Sequence, residues 1–198
     1  MKRFMRLVVI AFCFVSMLAG CVDGRDSDMD MQAAAERSDE ILDSVLKEIR
    51  PELRWTHGPT TVGMCDVTRR RVVMTNISAE RRGSLLGLVD RYWRKSGYRM
   101  TAINNDAKFP AIYARTQSGF EVSLRIGGKG QAFFQVDTPC VQESEVLDST
   151  SQATAPLYEG MELIPRPNVH SDFWSAGASE EAGWAVVRSG GWSNCCDE

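Results

Sequence analysis

Histidine is nearly absent from this chain: there are two in 198 residues, His57 and His170. A lone imidazole with no acid, cysteine or second histidine beside it in sequence seldom serves as a ligand or a base, so no metal site and no catalytic residue is assigned. Long apolar runs are lacking as well. Residues 7–18 form a stretch of about twelve, against the roughly twenty that a membrane-spanning helix needs. Positive charge is not in excess: 23 Lys and Arg stand against 26 Asp and Glu, for a net charge of -3. That balance argues against nucleic acid as a partner. Gly127-Gly128-Lys129-Gly130 lacks the spacing of a phosphate-binding loop and leads into a strand pattern, so it reads as a hairpin turn, and no cofactor is implied. Ser44 and Lys47 have serine–lysine enzyme spacing, but neither companion motif, S-x-N or K-T-G, occurs in the chain.

What is present begins with Lys2, Arg3 and Arg6, followed by the apolar run and then Leu18-Ala19-Gly20-Cys21. A basic start, a short apolar core and small residues directly before a cysteine resemble the signal peptide and lipobox of a bacterial lipoprotein. The resemblance implies cleavage after residue 20, lipidation of Cys21 and attachment to a membrane through that anchor. At about 0.8 kcal/mol per buried methylene, two or three acyl chains hold firmly. Losing the three basic residues of the leader takes the formal charge from -3 to about -6. Of six cysteines, Cys13 goes with the leader and Cys21 carries lipid, leaving Cys65, Cys140, Cys195 and Cys196. Outside the cytosol such thiols tend to be oxidised.

Four regions are expected: a signal peptide over 1–20, an acidic tether over 21–30, a globular domain over 31–140, and a linker with a poorly ordered tail over 141–198. The tether places Asp26, Asp28 and Asp30 like the opening of a calcium loop. Met31 and Arg37 then occupy positions where that loop requires glycine and a bidentate glutamate, so the acids are read as favouring the positive end of the next helix. Apolar residues at helical spacing over 31–50 (Ile41, Leu42, Val45, Leu46, Ile49) predict an amphipathic helix stopped by Pro51, with Asp39 and Asp43 on its polar side. Ser78 caps a second helix that Gly97 ends.

Strands are predicted at 61–66 and 71–77, joined by a solvated turn holding the three arginines at 69–71. Trp55-Thr56-His57-Gly58-Pro59-Thr60 reads as a loop. Four alternating segments follow the second helix, at 98–104, 111–116, 120–126 and 131–137. The third places Phe120, Val122, Leu124 and Ile126 on one face, matching Ala132, Phe134 and Val136 in the fourth. The fold class is therefore α+β: an antiparallel sheet of about five to six strands with two helices packed on one face, in the order α-β-β-α-β-β-β-β. Cys65 on the first strand and Cys140 just past the last then have a natural partnership, and a disulfide between them is predicted. Adjacent Cys195 and Cys196 are left unassigned.

The lipobox, Trp55-Thr56-His57-Gly58-Pro59, Gly128-Lys129-Gly130-Gln131-Ala132-Phe133-Phe134 and Ser171-Asp172-Phe173-Trp174 together resemble the small lipoproteins of actinobacteria, a family without assigned activity. The resemblance spans about residues 1–174 and implies a location, the extracytoplasmic side of the cell membrane. The functional expectation is a non-catalytic binding domain whose partner is an envelope protein, a polymer or a small ligand. Trp55 and His57 are the candidate ligand-binding pair. The alternative expectation is an envelope hydrolase whose site only the folded chain would reveal.

Overall fold

The computed structural model describes residues 29–156 and 166–177. Cys21, Cys195 and Cys196, and with them the leader, most of the tether and the end of the tail, lie outside the described residues. Helix α1 spans Met31–Glu48 and begins where the Asp30 carboxylate accepts the Ala33 N–H at 2.8 Å. One tether acid thus acts at the positive end of the helix as expected. Helix α2 spans Ala79–Lys95; Ser78 is its N-cap by backbone, with no side-chain capping bond, and Gly97 follows its end at φ 79°. A left-handed residue there suits glycine, which has no Cβ to clash. No helix among the described residues is long and apolar enough to cross a membrane.

The strands are β1 (Trp55–His57), β2 (Thr61–Val62), β3 (Val67–Val73), β4 (Arg99–Asn104), β5 (Ala111–Arg115), β6 (Glu121–Ile126) and β7 (Ala132–Asp137). They form one antiparallel sheet in the order β1-β3-β7-β6-β5-β4, with β2 also on β3. The chain leaves β3 through α2, enters at the far edge as β4 and walks back strand by strand, so that β7 closes the sheet against β3. This is the expected α+β class with both helices on one face. Val122, Leu124 and Ile126 of β6 and Ala132, Phe134 and Val136 of β7 share a single buried cluster with Leu42 and Val45 of α1 and Leu85 and Val89 of α2. Burial of that apolar surface supplies the main drive for closure.

Three expectations are corrected. The arginines at 69–71 occupy no turn; they sit in the middle of β3, whose paired neighbours are β1 and β7. Alternation sends Arg69 and Arg71 beneath α1, where they are 2% and 0% exposed, and Arg70 to the opposite face. Trp55-Thr56-His57 is likewise no loop but strand β1, pairing with Val73, Val72 and Arg71. Asp39, placed on the polar side of the first helix by its sequence, is 8% exposed and faces the sheet.

The stretch 141–156 has no helix or strand, in keeping with its aperiodic composition, yet it does not run free of the body. Met31 N–H donates to Gln142, Gln32 N–H to Ser144, and Thr154 and Ala155 N–H both donate to the Trp55 carbonyl. These last two bonds cover the open edge of β1, which would otherwise present unpaired backbone groups. Farther on, Asn168 and Val169 donate to the Met74 carbonyl. Trp174 is 1% exposed in the main core and donates its indole N–H to the Pro51 carbonyl at 2.7 Å. Packing thus continues well past residue 140, because the hydroxyl-rich segment finds backbone and carboxylate partners that its composition alone does not reveal. Cys65 and Cys140 form a disulfide with Cα atoms 4.8 Å apart.

Candidate functional site

The expected pair Trp55 and His57 stands at the edge of a buried charge cluster. Asp39 and Asp43 lie one turn apart on α1, and Arg69 and Arg71 lie two residues apart on β3, so both pairs face each other across the helix–sheet interface. Arg71 Nη2 donates to Asp39 at 2.7 Å and to Asp43 at 3.3 Å, while Arg69 Nε lies 3.5 Å from Asp39. Arg69 also donates to Thr60 Oγ1 at 2.7 Å and to the Leu147 carbonyl at 2.5 Å. Buried charge is tolerated when it is paired and hydrogen-bonded in this way. The Trp55 ring lies 4.7 Å from the Arg71 guanidinium carbon, within cation–π range.

His57 is consumed by the same cluster. Its Nδ1 lies 3.3 Å from Arg71 Nη1 and its Nε2 2.9 Å from the Ser151 carbonyl. Arginine can only donate and a carbonyl can only accept, so these partners assign the neutral tautomer with its proton on Nε2. The Ser151 hydroxyl donates to Asp43 at 2.6 Å and makes no bond to the imidazole. Serine, histidine and acid are neighbours, yet the lone pair that would take a proton from a nucleophile is turned to a guanidinium. The arrangement ties α1, β1, β3 and the 147–151 segment together; it is not a nucleophile–base–orienter set. A cavity of about 450 Å³ opens alongside, lined by Trp55 with Asp43, Leu46, Lys47, Arg50 and Leu53, among others. Trp55 lines this cavity and His57 does not.

On the opposite face of the sheet the register sets side chains in cross-strand rows. One row reads Val72, Phe133, Arg125, Ala111; the next Arg70, Gln135, Ser123, Tyr113; the third Thr68, Asp137, Glu121, Arg115. The third row carries one acid in excess: Glu121 pairs with Arg115, and Asp137 accepts only from the neutral donors Thr68 and Gln135. The first two rows hold two arginines and no acid. Arg70 Nε and Arg125 Nη2 both donate to one neutral atom, Gln135 Oε1, at 2.9 and 2.6 Å. Among the described residues, no carboxylate lies within ion-pair distance of either guanidinium.

Beside these arginines is a groove of about 490 Å³ whose apolar lining includes Val72, Phe133, Phe109, Tyr113 and Pro59. Two glycines shape it. A Cβ on Gly58 would stand 2.9 Å from Arg70 Cβ, and one on Gly127 would stand 3.2 Å from the Phe133 ring. Phe109 is held by the turn between β4 and β5, where the Asp106 carboxylate accepts the N–H groups of Phe109 at 2.7 Å and Lys108 at 2.8 Å. Those two bonds hold the Asp106 carboxyl below its ordinary value, that from Phe109 contributing most. Sequence reasoning missed the groove because it took the arginines at 69–71 for a turn. The available signal was the alternation Arg125, Phe133, Gln135 opposite the apolar core positions of the same two strands.

No family model matches the chain, and no curated protein does. Among solved structures it is similar to a DUF4853 family protein from Actinomyces odontolyticus, at 15% identity and a TM-score of 0.35, over 66% of this chain and 79% of that one.

Proposed function

We propose that this chain is a lipid-anchored, extracytoplasmic domain that binds a ligand without transforming it. The carrying observation is the contrast between the two faces of the sheet. On the helix side His57, Arg71, Asp39 and Asp43 are engaged with one another and with Ser151. On the open side two guanidiniums share one neutral acceptor beside an apolar groove. Concave, mostly apolar surfaces with a few convergent polar groups are the usual form of small-ligand sites. The anchor reading is supported by the leader ending at Cys21, and the compartment by the Cys65–Cys140 disulfide, since such bonds persist where the surroundings are oxidising. The alternative of an envelope hydrolase, with Asp, Glu or His57 as its base, is less well supported at His57, whose two ring nitrogens already face Arg71 and the Ser151 carbonyl.

The anchor is tested by metabolic labelling with a radioactive fatty acid, followed by detergent phase partitioning, for the native chain and for Cys21→Ala. The native chain is expected to carry label and enter the detergent phase, and the variant to do neither. An unlabelled native chain that stays in the aqueous phase overturns the proposal.

A further inference from the structure

We propose that the open-face groove binds a small amphiphilic carboxylate. Its head group is held jointly by Arg70 and Arg125 above Gln135, and its apolar body lies against Val72, Phe133, Tyr113 and Phe109. The inference rests on reading the chain as a binding domain and adds the class of ligand.

Charge selects the head group. Two like-charged guanidiniums brought to one amide oxygen repel each other, and an anion placed between them relieves that repulsion. The oxygen is fixed in place because the Gln135 amide nitrogen donates to both oxygens of Asp137, at 2.9 and 2.8 Å. The further bonds of Arg70, to the Pro59 carbonyl and Thr61 Oγ1, are both 3.4 Å long. The Arg125 guanidinium makes no other hydrogen bond among the described residues. Planar N–H groups therefore remain for a planar, bidentate partner, and a carboxylate has that geometry. The acidic row of Asp137 and Glu121 bounds the positive zone one row away, which suits a single compact anionic head over a polyanion.

Shape selects the body. About 490 Å³ falls within the range of small-molecule pockets. Phe133 and Val72 form the floor in the same row as Arg125, so head and body are recognised side by side on adjacent strands. Phe109 is 54% exposed. A large apolar side chain held out beside unpaired cations gains from covering by an apolar body.

The test uses the full chain carrying Cys21→Ala and three probes with one ten-carbon body: decanoate, decanol and decyltrimethylammonium, titrated by calorimetry. Decanoate is expected to bind at least about tenfold more tightly than either of the others, a difference of about 1.4 kcal/mol. Arg70→Met and Arg125→Met are each expected to reduce decanoate affinity about tenfold while leaving decanol unchanged. Phe109→Ser, at a position 54% exposed, removes apolar cover without adding charge and is expected to weaken all three. Equal affinity for decanoate and decanol, or undiminished decanoate binding by both arginine variants, overturns the proposal. So does binding to phosphatidylglycerol vesicles without binding to monomeric decanoate, because the surface would then read a bilayer. A failed titration with fatty-acid labelling of Cys21 intact refutes the ligand class alone. Turnover of a decanoyl ester, abolished by His57→Ala, would instead refute the non-catalytic reading.

Discussion

Arg71 of β3 and Asp39 of α1 meet at 2.7 Å beneath the helix, with the arginine side chain 1% exposed and the aspartate side chain 11%. The contact joins elements 32 residues apart in sequence and sets the orientation of α1 on the sheet. Arg69 also leans on Asp39 at 3.5 Å, so this carboxylate is shared by two buried guanidiniums, while Asp43 adds a second contact to Arg71 at 3.3 Å.

Asp39→Ala takes from Arg69 its carboxylate partner and leaves Arg71 with Asp43 alone, at 3.3 Å, in a site with little water. Breaking a buried pair from one side costs about 3–5 kcal/mol, largely for the stranded charge. Urea unfolding of the oxidised protein is expected to show a loss of that size. The triple change Asp39→Leu, Arg69→Met, Arg71→Met is expected to recover most of it, since the fully buried charges are then gone and Asp43, 26% exposed, keeps its bond from Ser151. A loss below about 1 kcal/mol for Asp39→Ala would show that α1 is held by its apolar face alone.

That cluster also marks where sequence reading stops. The helices and the last four strands were legible from the spacing of their apolar residues and the turn residues between them: Val122, Leu124 and Ile126 alternate in β6, and Leu42, Val45 and Leu46 recur on α1. Strand β3 was not, because Val67-Thr68-Arg69-Arg70-Arg71-Val72-Val73 carries charge at positions that face the core. Arginine at such a position is allowed only by a partner elsewhere in the chain. The pattern that would have found it is the match between Asp39 and Asp43 at helical spacing and Arg69 and Arg71 at strand spacing. The open-face groove was hidden by the same misreading, since Arg70 enters it only when its neighbours are strand residues. Trp55 and His57, expected as a ligand-binding pair, have their rings 5.4 Å apart, and the ring nitrogens of His57 meet Arg71 and the Ser151 carbonyl.

Cys65 and Cys140 close a loop with a sequence separation of 75. By loop-closure entropy, replacing both with serine costs roughly 4 kcal/mol. Peptide mapping without reductant is expected to recover the two cysteines in one linked fragment. Urea midpoints are expected to fall by a corresponding amount in the double variant or under reductant. Two free thiols in freshly purified protein would remove the expectation.

Trp174 carries the packing of residues 166–177 into the main core, next to the N-terminal end of α2, where its carbonyl accepts the Ser78 N–H at 2.9 Å. Trp174→Ala removes a large buried side chain and its bond to Pro51, for an expected loss of about 3–5 kcal/mol. A chain ending at residue 140 loses this and the cover over β1 together, and is expected to unfold at still lower urea. If that shortened chain matched the stability of the full one, residues 141–177 would be an appendage and the packing described above would contribute nothing.

Asp106 offers a test by pH. Its carboxylate gathers the Phe109 and Lys108 N–H groups and so shapes the turn that presents Phe109 to the groove. Because these bonds favour the charged form, its folded value lies below that of the unfolded chain. The sign follows: the contribution to turn order is complete above the unfolded value of about 3.9 and is lost as pH falls through the folded one. A carboxyl NMR titration is expected to give a midpoint below about 3.9, with the Phe109 and Lys108 amide signals moving in step. Amide exchange at both residues is expected to quicken in Asp106→Ala, and Asp106→Asn, which keeps an acceptor oxygen, is expected to retain part of the protection. A midpoint at or above the ordinary aspartate value, or identical exchange in the alanine variant, would mean that the turn is held by Asn104 and its bond to the Phe109 carbonyl at 3.0 Å instead.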